Sequence, residues 1–290
     1  MTPPLLLAAH GTTDQAGVDA FAALAGRVGQ LAAADGTRVA GGFIELSAPA
    51  LRDAVSSLVN GHPAAMVAVP LMLSAAGHSK GDVPAALARE TARHPGLSVR
   101  YGRPLGPHPV LLDLMAARND AVTAGLPSGP AVLLAGRGTS DPDGNADVVK
   151  VARLLWEGRG YEFAETAFIS LARPSVPEGL ERCRRLGARS IVVARYFLFP
   201  GVLPDRVTEQ AAEFAAAHPG LDVRVTDVLG DCDEIAGLVA ERYREALEGD
   251  IRMNCDLCVY RTALPGFAHR VGLPQQPHDH PHDHVHLHGA

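Results

Sequence analysis

Two histidines stand where chemistry is expected in this sequence. His10 follows an apolar run at residues 5–9, and His78 closely follows a second apolar run at residues 66–71. Both runs are typical of buried parallel strands, and ligands bind at the carboxyl ends of such strands in open α/β sheets. Glu45 ends a third apolar run. Two imidazoles and a carboxylate at strand ends predict a divalent-metal site that leaves coordination positions open.

A structural role competes with the metal role at each of these positions. Gly11 and Thr12 fit a tight turn that leads into a helix, but such a turn does not explain His10. A polar loop before a helix would also account for His78, although the small residues around it leave room for a bulky planar ligand. A carboxylate that ends a strand is often only a solvated cap, and this structural role explains Glu45 equally well.

The sequence consists of two similar halves. Three segments match in the same order, namely 5–14 with 132–141, 43–49 with 168–174, and 94–100 with 218–224. Ordered matches of this kind indicate a duplicated domain. We therefore expect domains at residues 1–126 and 127–250, followed by a segment, 251–290, that is largely disordered.

Each half alternates between strand and helix patterns, which predicts an α/β fold. Such alternation implies a parallel sheet of about four strands in each domain, with helices on both faces. Strands are expected near residues 5–9, 38–44, 65–71, 97–102, 131–135, 162–169, 190–197 and 222–228. Helices are expected near residues 15–34, 49–60, 80–93, 108–124, 144–159, 175–186, 204–217 and 232–247, with Pro49 and Pro174 in first turns.

The two halves differ where ligands would bind. The positions of His10, Glu45 and His78 are taken in the second half by Arg137, Ser170 and Leu203. Arg173 and Arg195 add further positive charge near the ends of the second-half strands. This asymmetry predicts that the first half handles a metal and the second half binds an anion.

The C-terminal segment carries two further metal-type motifs. Cys255 and Cys258 form a CxxC, which supplies two of the four ligands that zinc or an iron–sulfur cluster normally needs. A second subunit in a homodimer, or nearby histidines, would have to supply the rest; the alternative is an unligated thiol pair. The tail alternates histidine with other residues, at His278, His280, His282, His284, His286 and His288. We interpret it as a flexible tail that collects nickel, copper, zinc or cobalt, with an expression tag as the alternative.

Composition excludes several classes of protein. The 290 residues are 47% hydrophobic and carry a net charge of −6, which gives no reason to expect nucleic-acid binding. No apolar stretch is long enough to span a membrane. His10 interrupts the first apolar run, and no basic segment precedes it, so we expect no signal peptide. The cysteine spacing is not a disulfide framework, and we expect a cytoplasmic protein.

The chain resembles the long sirohydrochlorin chelatases of the class II chelatase family. The resemblance rests on residues 7–12 (LAAHGT) and 70–78 (PLMLSAAGH), and extends to the CxxC and the histidine-rich end. It implies a duplicated chelatase-like domain over residues 1 to about 250. It also implies insertion of Co²⁺ or Fe²⁺ into sirohydrochlorin, for cobalamin or sirohaem, with His10 and His78 facing the metal beside Glu45. The CxxC resembles the iron–sulfur segment of some long cobalt enzymes, although only two cysteines stand here.

The residues fit this chemistry on physical grounds as well. Metallating a tetrapyrrole requires a metal that sheds water and two pyrrole protons that leave, and histidine is both a metal ligand and a base near neutral pH. The carboxylates of sirohydrochlorin predict cationic partners, for which Arg137, Arg195 and Lys80 are the candidates. Three alternatives remain open: a ferrochelatase, a metal-storage or metallochaperone protein, and a solute-binding module. The tail favours cobalt, or nickel, over iron, because cells must collect these scarce metals.

Overall fold

The computed structural model describes residues 2–59, 65–126, 129–249 and 268–273. Over this part of the chain, strands and helices alternate as expected for an α/β fold. The strands are β1 (Leu5–Ala9), β2 (Val39–Phe43), β3 (Ala65–Pro70), β4 (Ser98–Tyr101), β5 (Ala131–Gly136), β6 (Ala164–Phe168), β7 (Ser190–Arg195) and β8 (Asp222–Val225). The helices are α1 (Gln15–Ala33), α2 (Leu51–Val59), α3 (Val83–Arg93), α4 (Pro109–Thr123), α5 (Pro142–Trp156), α6 (Val176–Arg185), α7 (Val202–Ala217) and α8 (Asp233–Glu248).

The strands form two four-stranded parallel sheets. The first has the order β2-β1-β3-β4 and the second the order β6-β5-β7-β8. In the first sheet, Leu5 of β1 pairs with Val39 on one side and with Val67 on the other. Every residue of β1 is buried, because helices cover both faces of the sheet. Burial on both faces explains why the apolar runs are continuous and do not alternate with polar residues.

Two helices begin later than the proline positions suggest. Helices α2 and α6 begin two residues after Pro49 and Pro174, so neither proline occupies a first turn. The carbonyl oxygen of Pro49 accepts a hydrogen bond from the Phe43 N–H (2.9 Å), and that of Pro174 accepts one from the Phe168 N–H (2.8 Å). Both prolines therefore still pair with the end of a strand, and each helix begins only after that pairing.

The compact units of the structure are not the two sequence repeats. One unit joins the residues up to Leu105 with α8, and the other spans Gly106–Gly230 and includes α4. Helix α8 packs on α1 and β3, whereas α4 packs on α5 and β7. The boundaries expected at residues 126 and 127 follow the duplication, and they do not coincide with the packing. A repeat records which segments are alike, whereas a compact unit depends on which sheet a helix covers.

A buried arginine fixes α8 within its unit. Arg242 of α8 is 1% exposed and donates to the carbonyl oxygens of Pro104 and Leu105, both at 3.1 Å. Glu245, one turn further along, accepts two hydrogen bonds from Arg103, at 2.6 and 2.9 Å. Together these contacts hold α8 against the chain that follows β4.

Among the helices of the described ranges, none combines the length and the apolar character that crossing a membrane requires. The CxxC cysteines, Cys255 and Cys258, lie outside the described residues, as do the six tail histidines.

Candidate functional site

His10 is the first residue beyond β1, on a turn that depends on Gly11. Gly11 has a φ of +110°, and a Cβ at this position would lie 1.8 Å from the carbonyl oxygen of Glu45. Only glycine allows the two segments to approach so closely. Asp14 then caps α1, since its carboxylate accepts from the Ala16 N–H at 2.9 Å. The turn therefore has the helix-entry role suggested by its sequence, and in addition it brings His10 next to Glu45.

Glu45 reaches His10 because pairing between β1 and β2 continues past the strands. The Ile44 N–H donates to the carbonyl oxygen of Ala9, and the Glu45 N–H donates to that of His10, at 2.9 and 3.0 Å. Oε1 of Glu45 lies 2.9 Å from Nε2 of His10, and the Glu45 side chain is 9% exposed. The other ring nitrogen of His10, Nδ1, lies 3.1 Å from the carbonyl oxygen of Gly11.

Ser47 ties the His10 turn to the Glu45 loop. Its hydroxyl accepts from the Thr12 N–H at 2.9 Å and donates to the Thr12 carbonyl oxygen at 2.5 Å. The second unit uses another residue for this purpose, because Asn145 of α5 binds both the N–H and the carbonyl of Thr139, at 3.0 and 2.8 Å. Ser47 thus links the two loops of the first unit through a side chain, whereas Asn145 ties the Thr139 turn to α5.

Replacing Ser47 with alanine is expected to lower the free energy of unfolding by about 1 kcal/mol, because two backbone groups lose a partner. Urea unfolding measures this loss. The matched variant Asn145→Ala should cost a similar amount, since it removes the equivalent pair from Thr139. The affinity for Co²⁺, one of the metals that the sequence resemblance implies, should fall in Ser47→Ala alone, and an equal fall in both variants would contradict a link to the predicted metal site.

His78 lies on a π-helical turn, His78–Asp82, that leads directly into α3. Its Nδ1 is 2.5 Å from Oδ2 of Asp82, whose side chain is 3% exposed. Tyr101 of β4 supports the turn, as its hydroxyl donates to the Ser79 carbonyl oxygen at 2.8 Å. Burial raises the pKa of Tyr101 above its usual value, so the phenol remains a donor.

The two imidazoles contact each other. The ring centroids of His10 and His78 are 4.1 Å apart, and the ring planes are nearly perpendicular, at 86°. About a quarter of each side chain is exposed, at 23% and 25%. Each ring also has one nitrogen beside a carboxylate, which is largely buried in Glu45 and fully buried in Asp82. The sheet edge thus presents two adjacent imidazoles whose orientations are set by Glu45 and Asp82.

The three expected ligands are brought together, but they do not converge on one point. In the part of the chain that the structure describes, no group of three or more His, Cys, Asp or Glu side chains has the spacing of a metal site. Of the three side chains, those of His10 and Glu45 lie closest together, and the ring of His78 contacts the ring of His10. The arrangement is therefore looser than a preformed three-ligand site.

The cationic candidates lie in different settings. Lys80 is half-buried on the same π-helical turn as His78. Arg137 is exposed directly after β5, in the second unit. Arg195, also in the second unit, donates to the Thr226 carbonyl oxygen at 2.5 Å and to the Thr208 hydroxyl at 3.2 Å. These bonds indicate that the Arg195 guanidinium stabilises its own unit.

Sequence reasoning missed Asp82, Ser47 and Tyr101. A histidine followed four residues later by an aspartate, at the start of a helix, is the signal that would have identified Asp82. Ser47 and Tyr101 offer no comparable signal, because their partners are backbone atoms distant in sequence.

Two α/β units, each built on a parallel sheet and one of them carrying a paired histidine–carboxylate centre, define a duplicated α/β protein. A model of the CbiX protein family matches residues 4–122 and again residues 131–246. The chain therefore belongs to the CbiX family, and the double match confirms the duplication predicted from the sequence.

Known relatives agree with this assignment. The chain is 36% identical over 225 residues to a sirohydrochlorin cobaltochelatase of Priestia megaterium, covering 77% of this chain and 74% of that protein. It is 27% identical over 206 residues to a sirohydrochlorin ferrochelatase of the same organism, covering 71% and 76%. Among solved structures, SirB from Bacillus subtilis with Fe³⁺ matches with a TM-score of 0.73 and 26% identity, over 88% of this chain and 100% of that one.

Proposed function

We propose that the protein is a sirohydrochlorin cobaltochelatase, which inserts Co²⁺ into sirohydrochlorin on the way to cobalamin. The observation that supports this most directly is the 4.1 Å contact between the rings of His10 and His78 at a sheet edge. The 36% identity to a cobaltochelatase supports cobalt over iron, since the ferrochelatase of the same organism is 27% identical.

The metal enters as a substrate and is bound by His10, His78 and Glu45. Nε2 of His10 and Oε1 of Glu45 are 2.9 Å apart. Two adjacent ligands with bonds of about 2.1 Å at a right angle are separated by about 3 Å, so one ion can replace the proton between these two atoms with little movement. Loose coordination suits an ion that must be passed on, because a closed site would retain it.

The same two imidazoles accept the pyrrole protons of the substrate. Insertion of a divalent ion releases two pyrrole protons, and each nitrogen that gives up the metal regains a lone pair that can accept one of them. Glu45, beside His10, stabilises the imidazolium that results and relays the proton onward. The two histidines thus act first as ligands and then as bases.

The substrate's carboxylates require cationic partners, and we assign Lys80 and Arg137 to this role. Lys80 is two residues from His78, so it lies on the turn that carries the metal-binding ring. Arg195 is a weaker candidate, because its guanidinium already donates to Thr226 and Thr208.

The remaining assignments concern the cell and the C-terminal segment. We also propose that the protein is cytoplasmic and that it forms a homodimer. In this homodimer, Cys255 and Cys258 of each subunit contribute to an iron–sulfur cluster or a zinc site. Two cysteines supply half of the usual ligands, which is why a second subunit enters the proposal.

An insertion assay tests the proposal. Purified protein is incubated with sirohydrochlorin and Co²⁺, Fe²⁺ or Ni²⁺ in separate anaerobic reactions, and the absorption spectrum is followed. Co²⁺ is expected to give the largest acceleration over the uncatalysed reaction. A larger acceleration with Fe²⁺ would favour a ferrochelatase. Binding of several ions without any acceleration would favour a storage protein and contradict the enzyme.

Deletion of residues 278–288 is expected to raise the KM for Co²⁺ several-fold and to leave kcat unchanged, because the tail only collects metal. Initial rates measured over a range of Co²⁺ concentrations separate the two constants. Loss of activity at saturating Co²⁺ would show that the tail takes part in insertion, and would contradict the assignment of the site to the sheet edge.

A further inference from the structure

Asp82 makes a contact that its position in the fold would not require. It stands where the π-helical turn continues into α3, its backbone is already helical (φ −66°, ψ −46°), and its side chain makes no cap hydrogen bond. Instead, its Oδ2 lies 2.5 Å from Nδ1 of His78. A carboxylate that is 3% exposed is costly to bury, so a specific partner must offset the cost.

The carboxylate decides which nitrogen of His78 carries the proton. An ionised carboxylate only accepts hydrogen bonds, so the nitrogen that faces it must be protonated. In a neutral imidazole with its proton on Nδ1, the lone pair is on Nε2, and Nε2 is then the atom that can bind a metal.

The turn that carries both residues is held in place by its neighbours. The Ser79 hydroxyl donates to the carbonyl oxygen of Ala76 and accepts from the Ala76 N–H, at 2.9 and 3.0 Å. Tyr101 fixes the Ser79 carbonyl from the side of β4. Because the backbone is anchored from two sides, the distance between His78 and Asp82 is set by the fold and does not depend on a mobile loop.

The second unit lacks this arrangement. The stretch from the end of β3 to His94 is one residue longer than the equivalent stretch from the end of β7 to His218. A π-helical turn accommodates one extra residue, because its hydrogen bonds span five residues and not four. Helix α7 begins with an ordinary α-helical turn at Val202. The π-helical turn that places Asp82 beside His78 therefore occurs in the unit whose stretch is one residue longer.

We infer that Asp82 is a positioning residue, which holds the proton of His78 on Nδ1 and presents Nε2 to the incoming metal. This inference rests on the proposed role of His78 in metal insertion. It adds a residue that does not itself touch the metal, but whose carboxylate determines how His78 does so.

The tautomer of His78 is the direct test. Nitrogen-15 NMR of the full-length protein, labelled at histidine and recorded with the ring neutral, distinguishes a protonated Nδ1 from a protonated Nε2. The wild type is expected to carry the proton on Nδ1. In Asp82→Asn, the amide can donate to Nδ1, and the proton is expected to move to Nε2. A wild-type ring protonated on Nε2 would overturn the inference without any variant.

Kinetics provide the second readout. Asp82→Asn is expected to raise the KM for Co²⁺ by about 10- to 100-fold, the usual loss when the partner of a metal-binding histidine is replaced. The KM for sirohydrochlorin should not change. Asp82→Glu keeps an acceptor-only group and should retain the Nδ1 proton. The control Asp205→Asn alters an exposed aspartate in the first turn of α7 and should leave both constants unchanged.

The outcomes separate this inference from the proposed function. Suppose that the wild type inserts no metal, that its His78 carries the proton on Nδ1, and that this proton moves to Nε2 in Asp82→Asn. The proposed chelatase function is then wrong, whereas the positioning role of Asp82 is confirmed. If the wild type inserts cobalt and Asp82→Asn keeps the wild-type KM for Co²⁺, the positioning role is wrong.

Discussion

Alanine in place of His10 or His78 is expected to lower the rate of cobalt insertion by about 10²- to 10⁴-fold, the usual contribution of a residue that transfers protons. The loss should exceed that of a simple ligand, because each imidazole is proposed to bind the metal and then to accept a pyrrole proton. Both side chains are about one quarter exposed, so the fold should tolerate their removal.

Steady-state rates with purified sirohydrochlorin and Co²⁺ measure this effect. His94→Ala is the matched control, because His94 ends α3 in the same unit, with its Nε2 3.9 Å from Glu90. It should insert cobalt at the wild-type rate. If both site variants did so as well, the two imidazoles would have no part in the reaction.

Replacing Gly11 with alanine is expected to abolish insertion and to destabilise the protein. The new Cβ would lie 1.8 Å from the carbonyl oxygen of Glu45, so the Glu45 loop must move away from His10. The φ of +110° adds a strain of about 1–3 kcal/mol for a residue with a side chain. Thermal unfolding measures the stability, and Co²⁺ titration measures the affinity of the site.

Gly138 provides an unusually close control. It has a φ of +83°, and a Cβ there would lie 1.9 Å from the carbonyl oxygen of Ser170. Gly138→Ala should therefore destabilise the protein to a similar degree, while the Co²⁺ affinity of the His10 site remains unchanged. A Gly11→Ala variant that kept both the wild-type stability and the wild-type affinity would show that the close approach does not matter.

Sequence patterns located the sheets well because burial leaves a strong signal. The run before His10 predicts a strand at residues 5–9, and β1 occupies those five residues. Continuous apolar residues identify the centre of a parallel sheet, since both of its faces are covered. The ends of the strands are less well defined, since β8 ends at Val225 and not near residue 228, but the order of the runs was enough to place His10 and Glu45 at one edge.

The packing of the last helix of each half could not be predicted. The sequences of α4 and α8 follow β4 and β8 in equivalent positions, which suggests equivalent packing within each repeat. Their partners are decided by long-range contacts such as those of Arg242 with Pro104 and Leu105. A repeat pattern carries no information about contacts between residues more than a hundred positions apart.

The details of the site were also beyond sequence reasoning. Asp82 lies in a polar stretch, and a π-helical turn leaves no periodic signature over so few residues. The expected trio of His10, His78 and Glu45 is adjacent in space, yet its donor atoms do not share one centre. Side-chain orientation depends on partners such as Asp82 and Ser47, which are recognised only once the loops are in place.

The location of a bound cobalt ion tests the central claim most directly. Crystals of the full-length protein soaked with Co²⁺ and measured at the cobalt absorption edge should show an anomalous peak about 2.1 Å from Nε2 of both His10 and His78, with Glu45 beside it. A peak bound only by other residues, with these two rings still in contact and without metal, would contradict the account.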